Sequence, residues 1–248
     1  MKRLAVVAFL AGMVLSGCEP APESGVYLPD PGYGLPEVPE AAGPPPDAAT
    51  AARNFVSVVR RMEPAIRQEC LALAPPGTDC DFRIVVDDRR DQPPNAYQTV
   101  DKAGHPVIFF TIPLIADARN VDELAFIVGH EAAHHIRGHI PRQEGSARLG
   151  ALILGGVVAM SGGDASAVET AQGLGATVGA RVYSQDHELE ADELGTAIAW
   201  HAGYDPLRGA AFFTRIPDPG NRFLGSHPPN ADRTLIVRRT FAELGAAG

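Results

Sequence analysis

Two histidines and a glutamate within five consecutive residues carry the clearest chemical signal in this sequence. His130 and His134 are four residues apart, so on an α-helix they lie about one turn apart on one face and can bind the same metal ion. Glu131 projects about 100° around the same helix and can reach a water molecule on the open side of that ion. This HExxH arrangement predicts two metal ligands and a general base, as in zinc hydrolases.

The residues around the motif predict the helix that it needs. Asn120 followed three residues later by Glu123 is an N-capping pattern, and Asp122 and Glu123 suit the positive end of the helix dipole. Apolar residues then recur at helical spacing; they are Leu124, Ile127, Val128 and Ile136.

The third ligand has to come from elsewhere in the chain. A metzincin carries glycine three and histidine six residues after its second ligand, but Arg137 and Ile140 occupy those positions here. Glu188 and Asp192, about fifty residues later, are four residues apart and share a helix face. One carboxylate can complete a His₂Glu ligand set while the other orients a ligand histidine.

The order of these motifs resembles the gluzincin peptidases of the HtpX and CAAX prenyl endopeptidase family, in particular the periplasmic branch of BepA- and LoiP-like proteins. The resemblance extends from about Asn95 to Arg233. The matching parts are Asn95–Tyr97, Val107–Thr111, the HExxH helix, the ExxAD motif, Ala202–Pro206, and Ser226–Pro228 followed by Arg233. It implies an α+β fold of the zincin type, mostly helical, with a small β-sheet beside the active-site helix.

The resemblance also implies a zinc metalloendopeptidase with one Zn²⁺ per chain. Matched position by position, it makes His130, His134 and Glu188 the zinc ligands, Glu131 the base, and Asp192 the carboxylate behind a ligand histidine. In such a site zinc polarises the scissile carbonyl and lowers the pKa of a water molecule towards 7.

Two further matches have open roles. His227 corresponds to a histidine that approaches or ligates the zinc in the BepA-like branch, so it is either a displaceable fourth ligand or a group that stabilises the oxyanion. Arg233 either steadies the same oxyanion or shapes the site. His135 and His139 are also four residues apart, but no glutamate directly follows His135, so we expect both on the helix surface or in support of the ligands.

The first residues predict export. Residues 1–17 combine Lys2 and Arg3 with a short apolar run, which is the layout of a secretory signal peptide. The run ends in Leu-Ser-Gly-Cys, which resembles a bacterial lipobox and makes Cys18 the lipidated residue. The alternative is a plain signal peptide with an incidental cysteine. Because Glu19 is not the aspartate associated with retention at the inner membrane, we expect an outer-membrane lipoprotein in the periplasm.

Residues 18–46 predict a tether, and residues 47–248 predict the metallopeptidase domain. Nine prolines between residues 19 and 46 prevent this stretch from burying a core and favour an extended spacer. The formal net charge of −9, without a basic cluster, argues against nucleic acid as a partner. The family resemblance implies unfolded or misfolded envelope proteins as substrates, hence a role in quality control. The alternative is a chaperone-like outer-membrane assembly factor with little proteolysis.

Periodicity predicts the elements that precede the motif. Asp47 caps a helix that runs to about Leu73, with Pro64 expected to kink or restart it. Strands are expected over Asp81–Asp87 and Pro106–Ile112. The family resemblance places the second strand at the rim of the cleft, where an extended substrate can add to its edge, and the alternative is an ordinary buried strand.

Later segments predict more helices. The small residues between Arg148 and Arg181 predict a helical hairpin, for which a peripheral membrane contact is an alternative. Helices are expected over Ser184–His201 and about Ala231–Leu244. Cys70 and Cys80 remain after Cys18, and in an oxidising periplasm we expect them to form a disulfide; the alternative is two buried free thiols.

Overall fold

The computed structural model describes residues 34–40, 43–89, 91–182, 184–220 and 227–247. The predicted signal peptide and the lipidation site at Cys18 lie outside the described residues. The described part has an α+β architecture, mostly helical, with a three-stranded mixed sheet that contacts the HExxH helix. This confirms the fold class predicted from the sequence.

The elements match the predicted helices closely. The first long helix, the helical hairpin and the helix of the ExxAD motif occur where expected, and the last helix begins one residue earlier than predicted. In chain order the elements are α1 (Ala48–Leu73), β1 (Arg83–Asp87), β2 (Ala96–Val100), β3 (Pro106–Thr111), α2 (Ile112–Asp117), α3 (Val121–Ile136), α4 (His139–Met160), α5 (Ala165–Val182), α6 (Ser184–His201), α7 (Pro206–Ala210), a 3-10 turn (Ala211–Thr214) and α8 (Asn230–Ala247).

The strand order of the sheet is β1-β3-β2, so β3 is central. β1 runs parallel to β3 with Val85 opposite Phe109, and β2 runs antiparallel to it with Tyr97 opposite the same residue. The prediction that the strand over Pro106–Ile112 forms the rim of the cleft is therefore wrong, because neighbouring strands occupy both of its edges. Within the described sheet, the strand that lines the cleft is β2.

Four short elements were not predicted: β2, α2, α7 and the 3-10 turn. β2 was expected only as a lead-in at Asn95–Tyr97, because its residues are half-buried and lack a clear apolar alternation. Its hydrogen bonds to β3 make it a strand. The next strand ends at Thr111 rather than Ile112, since the Thr111 side chain caps α2 and Pro113 suits the first turn of a helix.

Helix α1 begins at the predicted cap, where the Asp47 carboxylate accepts a hydrogen bond from the Thr50 amide at 3.0 Å. The helix continues through Pro64, so the predicted restart does not occur. Its buried face is long enough to outweigh one lost hydrogen bond; the buried residues are Ala51, Phe55, Val58, Met62, Ile66 and Cys70. Leu73, the last residue of the helix, is exposed.

The last part of the predicted tether lies on the domain. Arg238 of α8 donates to the carbonyl oxygens of Leu35 and Pro36 at 2.9 and 2.7 Å, and Val38 packs against a cluster formed by α7, α8 and the 3-10 turn. The folded unit therefore begins before the predicted boundary at Asp47. Arginine suits this role because it can satisfy two backbone carbonyls that an extended segment leaves without partners.

Close backbone contacts hold the α4–α5 hairpin together. A Cβ atom added at Gly150 would overlap the carbonyl group of Gly175, and one added at Gly179 would overlap that of Ser146, so glycine sets the distance between these helices. Leucine, isoleucine, valine and methionine side chains on the outer face of α4 are exposed to solvent. Among the described helices, none combines the length and the apolarity that a membrane crossing requires.

Cys70 and Cys80 form a disulfide bond, with their Cα atoms 5.7 Å apart. The bond joins the last turn of α1 to the segment that leads into β1. By closing a loop of about ten residues it stabilises the fold by roughly 2–3 kcal/mol.

Two facing glycines set the crossing of α3 and α6. A Cβ atom at Gly129 would lie 2.7 Å from the carbonyl oxygen of Gly195, and one at Gly195 would lie 2.7 Å from the amide nitrogen of His130. Both contacts involve backbone, which cannot move aside as a side chain can. The two helices that carry the predicted ligands therefore approach as closely as their backbones allow.

The crossing generates a test. Gly195→Ala should force α3 and α6 apart, destabilise the metal-free protein by about 1–3 kcal/mol through overpacking, and weaken zinc binding. Urea unfolding and zinc titration measure the two effects. Gly173→Ala is the matched control: Gly173 is a helical glycine on α5 with open space around it, so alanine there should stabilise by up to about 1 kcal/mol and leave zinc binding intact. Wild-type stability and zinc binding in Gly195→Ala would contradict this account of the crossing.

Candidate active site and metal centre

Helices α3 and α6 bring the three predicted ligands together. The Nε2 atoms of His130 and His134 lie 3.1 Å apart. The carboxylate oxygens of Glu188 lie 3.5 Å from Nε2 of His130 and 3.4 Å from Nε2 of His134. In the described part of the chain, these three residues form the group of His, Cys, Asp and Glu side chains whose atoms are close enough to hold one metal ion.

The spacing of these atoms fits a tetrahedral zinc ion. Zinc bonds to nitrogen and oxygen are about 2.0–2.2 Å long, so two ligand atoms of a tetrahedral site lie roughly 3.3–3.6 Å apart. The three measured separations are close to this range. Two imidazoles and one carboxylate also suit zinc better than calcium or magnesium, which take oxygen ligands.

The position of the proton on the His130 ring also suits metal binding. Its Nδ1 atom lies 2.9 Å from an Asp192 carboxylate oxygen, and because a carboxylate only accepts, Nδ1 carries the proton. Nε2 faces a carboxylate oxygen of Glu188 at 3.5 Å, and this contact requires either a metal ion on Nε2 of the neutral ring or, without metal, a second proton on the ring. Asp192 therefore occupies the predicted place behind a ligand histidine.

Arg233 of α8 supports Asp192. Its Nε and one terminal nitrogen donate to the two Asp192 oxygens, each at 2.7 Å, and its guanidinium lies 4.2 Å from the ring centroid of Phe213. Asp192 is fully buried, so this bidentate pair provides the counter-charge it needs. The geometry thus favours the shaping role for Arg233 over the oxyanion role.

The charges around the ligands favour a cation. Burial lowers the pKa of His130, but hydrogen bonds to Asp192 and Glu188 outweigh it and raise that pKa to about 10. Burial and the neighbouring His130 lower the pKa of His134 to about 3. Burial raises the pKa of Glu188, but hydrogen bonds from His130 and His227 hold it well below its usual value. Glu188 therefore stays ionised despite its burial.

Three other histidines lie near the predicted ligands, and they differ in whether they contact one of them. His139 is buried, and its Nδ1 atom lies 2.8 Å from Nδ1 of His134. The ring of His187 stacks on that of His139 with centroids 4.4 Å apart. His135 instead contacts the carbonyl oxygen of Asp79 at 2.8 Å. Of the two roles left open by the sequence, His139 supports a ligand and His135 does not.

Glu131 faces the space beside the ligands. It lines two adjoining cavities of about 270 and 230 Å³, both of which also include His130 and Glu188. Burial raises the pKa of its carboxyl group, while the positive charge on His130 and a hydrogen bond from the backbone of Gln98 in β2 oppose that shift. A carboxylate with a raised pKa holds a proton more readily, which suits a general base.

His227 lies at the mouth of these cavities. Its side chain is 55% exposed, and its Nδ1 atom lies 3.0 Å from a carboxylate oxygen of Glu188. Since the carboxylate accepts, Nδ1 donates this hydrogen bond. His227 is not part of the group of three residues whose atoms are mutually close enough for one ion. The structure thus places it on a ligand rather than in the ligand set.

A buried HExxH helix, a carboxylate on a second helix and a shared cavity define the class of gluzincin-type metallohydrolases. The sequence profile of peptidase family M48 matches residues 57–240, most of the chain, and the chain belongs to this family. M48 peptidases are metalloproteases. The family assignment confirms the resemblance seen in the sequence, including the assignment to a metallopeptidase.

One curated relative points to a branch of the family. The chain is 31% identical over 123 residues to a protein of Vibrio cholerae serotype O1 named as a beta-barrel assembly-enhancing protease. The match covers 47% of this chain and 25% of that protein, so the chain spans about a quarter of the length of this relative. This similarity agrees with the BepA-like branch.

Proposed function

We propose that this protein is a zinc-dependent endopeptidase that hydrolyses peptide bonds in unfolded or misfolded envelope proteins. The observation that carries the proposal is the group His130, His134 and Glu188 at zinc spacing, with Glu131 in the same cavity. His130, His134 and Glu188 would hold the ion. When bound, zinc supplies Lewis-acid polarisation of the scissile carbonyl and a more acidic water molecule.

Glu131 performs the proton transfers in this proposal. Its carboxylate accepts a proton from the attacking water molecule and passes it to the leaving amine of the cleaved peptide bond. Asp192 and Arg233 hold His130 in the tautomer that leaves Nε2 free. The exposed position of His227 suits a group that moves on and off Glu188 as substrate enters.

Strand β2 offers a place for the substrate backbone. Ala96, Tyr97 and Gln98 line the same cavity as Glu131, and β2 is an edge strand of the described sheet. An extended peptide can add to such an edge through main-chain hydrogen bonds, with little dependence on its side chains. We assign the substrate-binding edge to β2, in place of the strand expected from the sequence.

The second cavity suits an apolar side chain of the substrate. It lies beside His130 and Glu131, and most of its wall is apolar, contributed by Leu114, Phe126, Ile127, Phe212, Phe213 and Ile216. Unfolded proteins expose apolar side chains that folded proteins bury. A sequence-tolerant edge next to an apolar cavity supports unfolded chains as substrates, and hence a role in protein quality control.

The location proposed for the protein is the periplasmic face of the outer membrane, with Cys18 as the lipidated residue. The leader-like residues 1–17 and the lipobox-like sequence support it, and so does the Cys70–Cys80 disulfide, because such bonds persist in oxidising compartments. The name of the Vibrio cholerae relative, which joins β-barrel assembly to proteolysis, supports outer-membrane proteins among the substrates.

Removing the general base tests the chemistry. Glu131→Gln should retain zinc and the fold but lose about a hundredfold to ten-thousandfold in cleavage of an unfolded model protein, because only the proton acceptor is lost. Cleavage rate and zinc content are measured together. Glu144→Gln, an exposed glutamate on α4, is the control and should cleave normally. Wild-type cleavage by Glu131→Gln would refute this mechanism.

If Glu131→Gln restores growth of a strain that lacks the protein, the assembly-factor alternative is favoured.

Replacing His227 separates its two proposed roles. If His227 is a gate, His227→Ala should retain zinc and cleave at an equal or higher basal rate, since the residue no longer occupies the mouth of the site. If it stabilises the oxyanion, the rate should fall by about a hundredfold to a thousandfold at full zinc occupancy. We propose the gate. His105→Ala is the control, because His105 is similarly exposed and also bonded to a carboxylate, that of Asp79. A large loss of rate in His227→Ala with zinc retained would exclude the gate.

Replacing Cys18 tests the anchor. Cys18→Ser should move the protein from the membrane fraction to the soluble periplasmic fraction, because the acyl chains that hold it are no longer attached. Fractionation followed by immunoblotting measures the shift, and Ser24→Ala, in the predicted tether outside the lipobox, serves as the control. Continued sedimentation of Cys18→Ser with membranes would contradict the lipid anchor and point to the exposed apolar face of α4.

A further inference from the structure

A second chain of hydrogen bonds, buried at its histidine end, leads to the other predicted histidine ligand. Nδ1 of His134 lies 2.8 Å from Nδ1 of His139, and Nε2 of His139 lies 3.1 Å from a carboxylate oxygen of Glu190. His139 is 4% exposed, and it opens α4 directly after Gly138. The positive φ of 66° at Gly138 turns the chain there, which brings His139 back to the ligand.

The direction of each hydrogen bond in this chain follows from its carboxylate end. Glu190 can only accept, so Nε2 of His139 carries a proton. In the neutral ring Nδ1 of His139 is then an acceptor, and the bond to it must be donated by Nδ1 of His134. A neutral His134 that is protonated on Nδ1 has its lone pair on Nε2, which is the atom that faces His130 and Glu188.

The groups around the chain favour this arrangement of protons. Arg142 binds the same carboxylate of Glu190 at 2.8 Å, which balances its charge. On the other side, the ring of His187 stacks on that of His139 with centroids 4.4 Å apart. This stacking confines the ring of His139 to the plane in which both of its nitrogens are bonded.

We propose that His139 and Glu190 are positioning residues that fix the tautomer and the ring orientation of His134 for zinc binding. The inference rests on the proposed zinc site. It adds a counterpart to the chain from Asp192 to His130, with one difference: the carboxylate reaches His134 through an intervening imidazole. Each histidine ligand is then supported through its Nδ1 atom.

Zinc affinity is the primary test. His139→Leu should lower the zinc affinity by about tenfold to a hundredfold, measured by competition with a chromophoric chelator, because His134 loses its acceptor. His139→Asn should restore most of that affinity, since an asparagine side-chain oxygen can accept from Nδ1 of His134. Circular dichroism and thermal melting of the metal-free variants confirm that each is folded before its affinity is compared.

The chain provides a matched control. His201, at the end of α6, forms the same kind of pair with Glu69 at 2.6 Å but touches none of the ligands. His201→Leu should leave the zinc affinity unchanged. Glu190→Ala should lower it less than His139→Leu does, because His139 remains but is free to change its tautomer. Equal zinc affinity in folded His139→Leu and wild type would overturn the proposal.

Nuclear magnetic resonance of ¹⁵N-labelled histidine provides a readout that a purely structural role would not change. In metal-free wild type, the spectrum should show His134 protonated on Nδ1, and in His139→Leu this preference should be lost. A metal-free His134 protonated on Nε2 in wild type would overturn the proposal. If wild type itself binds no zinc, the proposed function fails first, so the two failures are distinguishable.

Discussion

The close crossing of α3 and α6 is the constraint on which the site depends. With hydrogen atoms in place of side chains at Gly129 and Gly195, the backbone of α6 lies against the first turn of the HExxH motif. Glu188 and Asp192, four residues apart on the facing side of α6, then reach the two sides of one imidazole ring. Glu188 lies on the Nε2 side of His130 and Asp192 on the Nδ1 side. If α3 and α6 lay farther apart, the distances from His130 to Glu188 and to Asp192 would both exceed that of a hydrogen bond. Both contacts would then be lost together.

The crossing also buries a carboxylate, and α8 supplies the charge that this requires. Asp192 is fully buried, and removing the partner of such a group costs about 3–5 kcal/mol. Arg233 meets the need from α8. Val237 of α8 belongs to the same buried cluster as Phe126 of α3, and Arg238 of α8 binds the N-terminal segment. The orientation of a metal ligand on α3 thus depends on packing at the far end of the chain. This gives the segment before α1 a structural role that its proline-rich composition does not suggest.

Local patterns in the sequence predicted the helices well, because their caps and apolar faces are set by nearby residues. Asn120 caps α3 as expected, although Glu123 turns away from the capping box and accepts from the Arg119 amide, since a buried pairing with Arg215 is available to it. Non-local partners explain the failures. β2 is a strand because β3 lies beside it; Tyr97, Thr99 and Val100 favour strands, but the segment lacks an apolar alternation. The spacing of His130, His134 and Glu188 identified the candidate ligands, but the support from His139 needed the turn at Gly138, which no periodicity predicts.

The balance of charge in the site explains why a divalent ion and a glutamate base suit each other here. Arg233 neutralises Asp192, and Arg142 neutralises Glu190, so Glu188 and Glu131 are left with two negative charges in a largely buried space. A divalent cation would cancel both. Without it, a protonated His130 supplies one positive charge, and burial raises the pKa of Glu131, so this carboxylate also accepts a proton more readily than an exposed one. Because burial destabilises the ionised form of Glu131, accepting a proton is favourable for this side chain. The raised pKa therefore makes Glu131 an effective proton acceptor during catalysis.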